Sequence, residues 1–267
     1  MDTTSKGLEE QPLVTVLVLS YNRARYIAEA IDSVLSQSYQ NFELVIIDDG
    51  STDQTCDILS KYTDPRIQTM LHNENAGLHA RRAESLTYVT GKYTAVLDSD
   101  DLWTSVDKLA QQVAYMEANP GCAVVGTFIT LMSPDGTTIG TNSYHSTDAE
   151  IRGSILSRNQ FTHSSVLMRT ALLRDAPGYR DTGLAEDLDL FLQLGLVGTF
   201  ANLPHHMTSY RIHTESFNPQ KQAMARAVLG IIQTHKHEYP HYYRAYLKAQ
   251  LRLRYTFLRQ KLSLFLS

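Results

Sequence analysis

The chain lacks the marks of several common protein classes. Nowhere in its 267 residues is there a run approaching the ~18 apolar residues of a membrane-spanning helix. There are two cysteines, Cys56 and Cys122, too few for a disulfide framework. Both lie in apolar-periodic segments, and buried free thiols in a reducing cytoplasm are expected. The opening stretch, Met1 to Pro12, is polar and acidic, so no signal peptide is expected there. No internal repeat or low-complexity segment is visible, and no G-x-G-x-x-G follows the first apolar run, which argues against a dinucleotide site. Acids are missing from Pro240 to Ser267, where six lysines and arginines stand without one. The net charge of −4 thus conceals a body of 18 basic and 28 acidic residues and a basic tail. That polarity points to an anionic partner for the tail.

What is present suits a globular enzyme, with 43% hydrophobic and 19% charged residues. Val14 to Ser20 reads as a buried strand. Ile27, Ala30, Ile31, Val34 and Leu35 then fall on one helical face. Phe42 to Ile47 predicts a second strand, Gln54 to Lys61 a helix, and Ile67 to Leu71 a third strand. A helix ending near Val89, a strand at Tyr93 to Leu97 and a helix from Val106 to Glu117 continue the alternation. This order predicts an α/β fold with a mainly parallel, doubly wound sheet and helices on both faces. After Pro120 the rhythm changes. Strands are predicted at Val124 to Met132, His163 to Met168 and Met207 to Ile212, with a turn at Ser133 to Gly136. A helix at Glu186 to Leu196 and a helical tail complete the reading.

Acidic residues gather where strands end. Asp98, Ser99, Asp100 and Asp101 close the strand at Tyr93 to Leu97, and Asp48-Asp49-Gly50-Ser51 closes the second strand. Ser20-Tyr21-Asn22-Arg23 follows the first. Open α/β sheets bind ligands outside the carboxyl ends of their strands, so the three clusters converge on one crevice. A D-x-D there can bridge a hard divalent ion to a diphosphate. Helix capping by one of these acids is the competing account, although a single Asp would serve for that. An aromatic such as Tyr21 can stack on a base, and an Asp can accept from a base N–H.

His237-Glu238-Tyr239-Pro240-His241 has the H-E-x-x-H spacing of a zinc protease. Pro240 would break the helix on which both histidines must lie, so the segment reads as a helix end.

The motifs together resemble the family 2 glycosyltransferases of the GT-A fold. The resemblance is carried by Val16 to Asn22, Ser36 to Tyr39, Phe42 to Asp53, Asn75-Ala76-Gly77, Arg81, Gly91-Lys92-Tyr93 and Leu97 to Asp101, and covers about residues 13 to 215. It implies an inverting transfer from a nucleotide-diphosphate sugar, UDP- or dTDP-linked, with Mn²⁺ or Mg²⁺. It also implies a nucleotide-sugar half at 13–120, an acceptor half at 121–215, a helical extension at 216–267 and a flexible stretch at 1–12. By the same resemblance, Ser20, Tyr21, Asn22, Arg23, Gly77 and Ser99 line the donor site. Tyr21 stacks on the base, Asp49 hydrogen-bonds it, and Asp98 contacts the ribose. Asp100 ligates the metal, Arg81 is the basic residue near the donor, and Arg211 supports the leaving charge while His213 approaches the metal. Ala185-Glu186-Asp187 matches the pair that opens a helix in this family. Asp187 is then the general base, with Glu186 the second candidate, and His163 a candidate lining of the acceptor cleft. A sugar-phosphate nucleotidyltransferase would instead need a Gly-rich basic loop after the first strand. A non-catalytic nucleotide-sugar-binding module would not need Asp100 and Asp187.

The implied acceptor is a glycan or a lipid-linked sugar in surface polysaccharide, lipopolysaccharide or other glycoconjugate synthesis. No nucleic acid partner is expected, and the expected location is the cytoplasm. In the tail, Leu247, Leu251, Tyr255, Leu258, Leu262 and Phe265 form one helical stripe beside Arg244, Lys248, Arg252 and Arg259. Residues 240–267 are therefore expected to contact an anionic membrane surface peripherally. The competing account packs the stripe on the catalytic domain or on a second subunit of a homo-oligomer.

Overall fold

In the computed structural model, residues 11–213 and 220–265 are described, apart from the side chains of 220 and 259–265. The expected flexible stretch at 1–12 lies almost wholly outside them, as do Leu262 and Phe265 of the tail stripe as side chains. Strands β1 (Val14–Ser20), β2 (Phe42–Asp48) and β4 (Tyr93–Asp98) are covered on both faces, which is why their sequences are almost unbroken apolar runs. The helix α1 (Ile27–Leu35) covers one face through Ile27, Ala30, Ile31 and Val34. The next elements are α2 (Thr55–Leu59), β3 (Ile67–Leu71) and α3 (Leu78–Ser85), which continues as a 3₁₀ turn to Tyr88. The order β3-β2-β1-β4 is parallel throughout. Its register pairs Ser20 with Asp48 and Leu19 with Asp98, so all three acidic or polar strand ends meet at one edge.

Beyond β4 the sheet is mixed. The short β5 (Leu102–Trp103) and α4 (Lys108–Ala118) precede β6 (Cys122–Met132), which turns through Ser133 to Gly136 into β7 (Thr138–Asn142). Next come α5 (Asp148–Ser154), β8 (Leu167–Arg169), α6 (Thr170–Asp175), α7 (Glu186–Val197) and β9 (Thr199–Arg211). β8 is antiparallel to both β4 and β6, whereas β9 lies parallel to β6 and pairs with β5 in the opposite sense. The predicted strand at His163 to Met168 is instead a 3₁₀ turn, His163–Ser165, followed by β8. Ser165 bonds back to the Thr162 carbonyl through both its N–H and its hydroxyl, a local alternative to a strand ladder. β9 begins eight residues before the predicted start at Met207. Pro204 disguises it in the sequence, and the register against β6 slips between Leu203 and His206 to absorb that residue.

The C-terminal helices α8 (Gln220–Thr234) and α9 (Tyr242–Phe265) flank Pro240, so the H-E-x-x-H segment is indeed a helix break. Ile231, Ile232, Tyr239, Ala245 and Ala249 join a core containing Phe161, Phe191 and Phe200. Leu247, Leu251, Tyr255 and Leu258 are largely exposed among the described residues. No helix among the described residues is long and apolar enough to cross a membrane. Of the two thiols Cys122 is buried, but Cys56 is half-buried, so the expectation of burial fails for it.

One buried lysine supports the acidic strand end. Lys108 is wholly buried, with Nζ 4.1 Å from the Trp103 ring centroid and donating to Gln112 Oε1 at 2.8 Å. Trp103 in turn donates to the Ser164 carbonyl at 2.8 Å. No carboxylate pairs with Lys108 among the described residues, and burial holds its pKa well below the usual lysine value. Between that lowered value and pH ~10 the unfolded chain binds more of this proton than the folded chain does, so stability rises with pH across that window. Lys108→Met is expected to stabilise the fold by on the order of 1 kcal/mol at pH 7, with the gain shrinking toward pH 10. Thermal melts at the two pH values check this, and a gain independent of pH would contradict it.

Candidate active site

Two loops at the sheet edge hold each other in place. Asn22 adopts a left-handed φ of 53°. Its N–H donates to Ser51 Oγ at 2.8 Å, and its Oδ1 accepts from the Thr52 N–H at 2.8 Å. Asp48 accepts from the Ser51 N–H and hydroxyl at 2.8 and 2.6 Å, so it closes the turn from within. Asn22 is thus a brace between β1 and β2 rather than a free donor-site group. Tyr21 beside it is exposed, and Arg23 places Nε 3.5 Å from Asp100 Oδ2. Ser20 is buried, with a hydroxyl that has no hydrogen-bond partner among the described residues.

Asp49 anchors the loop that precedes α3. Its carboxylate accepts from the N–H groups of Ala76 and Gly77 at 2.8 and 2.9 Å and from Arg81 Nε at 2.6 Å. Gly77 reaches it with a φ of +90°, a conformation that costs glycine little. A carboxylate has about four acceptor positions, so about one is left for a ligand. Arg81 also donates to Glu84 at 2.8 Å and to the Glu74 carbonyl at 3.0 Å. Arg81 therefore holds this loop and the Asp49 carboxylate together.

The acidic turn after β4 divides its labour. Asp101 is buried, accepts from the Ser164 hydroxyl, and accepts from the Arg211 N–H at 2.8 Å. Burial and the nearby Asp98 charge push its pKa well above the carboxylate range. Ser99 is buried as well. Arg211 donates Nε to the Asp100 carbonyl at 2.7 Å and Nη2 to Glu29 at 2.9 Å, over the Tyr26 ring at 4.4 Å. Buried, Arg211 ties the turn in place. The Asp100 carboxylate meets His213 Nε2 at 2.8 Å, and that imidazole is 43% exposed. A carboxylate and an imidazole at this separation suit a divalent cation. Among the described residues no third metal-binding side chain converges with them, so diphosphate oxygens and water would complete the shell.

A buried guanidinium links this turn to α7. Arg82 lies 2.7 Å from Glu186 Oε1 and 3.4 Å from Asp98 Oδ1, with the Tyr179 ring centroid at 5.7 Å. His163, also buried, is 3.4 Å from Asp98 Oδ1 and 2.8 Å from the Tyr179 hydroxyl. It therefore supports Asp98 from below instead of lining an open cleft. Burial alone would raise the Asp98 pKa, but the His163 bond, the His163 and Arg82 charges and Ser164 pull it well below the usual range. Glu186 is thus neutralised, which argues against it as a base. Asp187, the next residue, is half-buried in the first turn of α7 and accepts from Asn159 Nδ2 at 3.2 Å. No cation pairs with it among the described residues. Sequence reasoning missed Arg82, although its inward stripe with Ser85, Leu86 and Val89 was available as a signal.

Removing the guanidinium would leave two carboxylates without a counterion. Arg82→Met is expected to destabilise the fold by about 3–5 kcal/mol in denaturant titration. A loss below about 1 kcal/mol would show that the bridge is not a structural link.

The profile of the family described as "Glycosyl transferase family 2" matches residues 15–176, more than half of the chain. A Bacillus subtilis protein provisionally named a teichuronic acid biosynthesis glycosyltransferase, TuaG, is 43% identical over 129 residues, which is 48% of this chain and 50% of that protein. The alignment thus spans about half of that relative. An Escherichia coli protein named UDP-Glc:alpha-D-GlcNAc-diphosphoundecaprenol beta-1,3-glucosyltransferase, WfaP, is 40% identical over 105 residues, covering 39% of this chain and 41% of that one. Among solved structures, a Pyrobaculum calidifontis mannosyltransferase in complex with GDP-Man and Mn²⁺ superposes with a TM-score of 0.68 at 20% identity, over 92% of this chain and 71% of that one. That likeness gives the GT-A fold, and with the family profile it places this chain in glycosyltransferase family 2.

Proposed function

We propose that the chain transfers a sugar, with inversion, from a nucleotide-diphosphate sugar to an acceptor hydroxyl. The donor nucleotide is UDP or dTDP, and the task is the building of a polysaccharide, lipopolysaccharide or other glycoconjugate. One observation carries the reading: Glu186 is ion-paired with Arg82 while Asp187, one residue on, makes no ion pair among the described residues. The acidic strand end therefore meets one carboxylate able to take a proton. The family membership and the names of the relatives support the same chemistry.

In this reading Tyr21 stacks on the base, and Asp49 offers its remaining acceptor position to a base N–H. Asp98 and Ser99 face the ribose. Gly77 shapes the loop beside the base, and Arg23 faces the diphosphate. Asp100 and His213 would hold Mn²⁺ or Mg²⁺, which would neutralise charge on the leaving diphosphate. Asn22, Arg81, Arg82 and Arg211 position these groups. Asp187 accepts the acceptor hydroxyl's proton as that oxygen bonds the anomeric carbon. The anomeric carbon–oxygen bond to the diphosphate breaks on the opposite face, and its electron pair leaves with the nucleotide. Negative charge at residue 187 is favoured by the start of α7. The exposed stripe of α9 is proposed to rest on the cytoplasmic face of a membrane, where a lipid-linked acceptor would be found. The alternative of pairing two copies through that stripe predicts a concentration-dependent mass instead.

The two carboxylates are separable by experiment. Asp187→Asn is expected to bind UDP and Mn²⁺ with near-unchanged affinity and to lose transfer by about 10²-fold or more. Asp100→Ala is expected to lose the Mn²⁺-dependent part of UDP binding. Calorimetry beside a transfer assay reads both. Near-normal transfer by Asp187→Asn, or unchanged metal-dependent binding by Asp100→Ala, would overturn the corresponding assignment.

A further inference from the structure

A cleft of about 340 Å³ lies between α5, the segments at 143–145 and 157–160, and the first turns of α9. Its walls carry Arg158, Arg244 and Lys248 together with His145, Ser154 and Ser157, and no carboxylate lines it among the described residues. Arg244 and Lys248 stand one turn apart on α9 and have no acidic partner among the described residues. Arg158 donates to Asn142 Oδ1 and has its guanidinium carbon 5.9 Å from the Tyr144 ring centroid. Three cations gathered without an acid repel one another, and an anion placed among them relieves that repulsion. A single carboxylate is satisfied by one arginine fork. Two arginines, a lysine and two serine hydroxyls offer donors for an anion with several oxygens.

The cleft's wall is linked to the proposed base through neighbouring residues. Asn159, between Arg158 and Gln160 of its wall, donates to Asp187 Oδ2 at 3.2 Å. Tyr144, another wall residue, bonds Thr162 Oγ1 at 2.6 Å, on the strand of chain that leads to His163. On α9, Tyr243, Leu247 and Leu251 are exposed beside Arg244 and Lys248. An apolar surface contiguous with an anion cleft suits an anion that carries a hydrocarbon chain more than a free ion.

Resting on the glycosyltransferase reading, we infer that this cleft binds the diphosphate of a lipid-linked acceptor. The acceptor's sugar then points toward Asp187, and its lipid runs along the exposed face of α9. The basic tail residues Arg244 and Lys248 are thereby specificity residues for the acceptor and not a general membrane tether.

The test compares the full chain with its Arg244→Gln/Lys248→Gln variant. Each is floated with neutral phosphatidylcholine vesicles containing either farnesyl diphosphate or phosphatidylglycerol, and UDP affinity is measured alongside. The variant is expected to bind farnesyl diphosphate vesicles at least about tenfold more weakly, with a much smaller change on phosphatidylglycerol and no change for UDP. Arg158→Gln is expected to weaken farnesyl diphosphate binding in the same direction. Equal binding of farnesyl diphosphate by parent and double variant would overturn the inference. So would an equal loss on both lipids, which would make the residues a general charge contact, or displacement of farnesyl diphosphate by UDP, which would put the probe in the donor site. Absence of UDP binding by the parent chain would instead overturn the transferase reading and the inference resting on it. Unchanged UDP affinity in the variants also shows that they are folded.

Discussion

A buried guanidinium between two carboxylates organises this molecule. Arg82 comes from the helix after β3, Asp98 from the end of β4, and Glu186 from the start of α7. No pair among them could be left buried and unmatched without a large desolvation penalty, so the three elements must meet at one distance. The consequence for chemistry is selective. Glu186 is occupied, Asp98 is held ionised by Arg82 and His163, and Asp101 is hidden beneath the turn. Asp100 and Asp187 are left only partly buried. The proposed division of the site into a diphosphate side and an acceptor side rests on which acids the scaffold uses up.

A second set of contacts fixes the acidic turn from the other direction. Arg211, at the end of β9, binds the Asp101 carboxylate and the Asp100 carbonyl through its backbone and side chain. It also brings His213, two residues later, to the Asp100 carboxylate. Trp103 and Lys108 support Ser164, whose hydroxyl reaches Asp101. Residues far apart in the chain are thus needed to place one partly buried carboxylate, and a change at Arg211 would be felt at Asp100 without touching a ligand.

The first half of the fold was legible because its strands are buried on both faces and its helices are amphipathic. Val14–Ser20 was read to the residue for that reason; Ile67–Leu71 was also read to the residue, although it is a largely exposed strand. The second half was less so. β8 is three residues long after a serine-rich 3₁₀ turn, and Pro204 interrupts the pattern of β9. At the site, the acids at strand ends and the Glu186-Asp187 pair were visible, whereas their states were not. Two adjacent arginines, Arg81 and Arg82, differ by one position on a helix, and that one step separates a loop clamp from the central bridge. Arg211 reads as a leaving-group cation from its motif, yet its partners are all within the chain. The tail stripe was visible as a period, but only packing could show that α9 buries Ala245 and Ala249 and leaves Leu247 and Leu251 outside.

The account's central claim is a single displacement, with Asp187 as base and the diphosphate leaving from the opposite face. Proton NMR of the transfer product formed from an α-linked UDP-sugar tests this most directly. A β-configured anomeric proton in the first product to accumulate is the result this account predicts. An α-configured product would mean retention through two displacements or a different geometry, and would contradict the assignment of one base and one attacking hydroxyl.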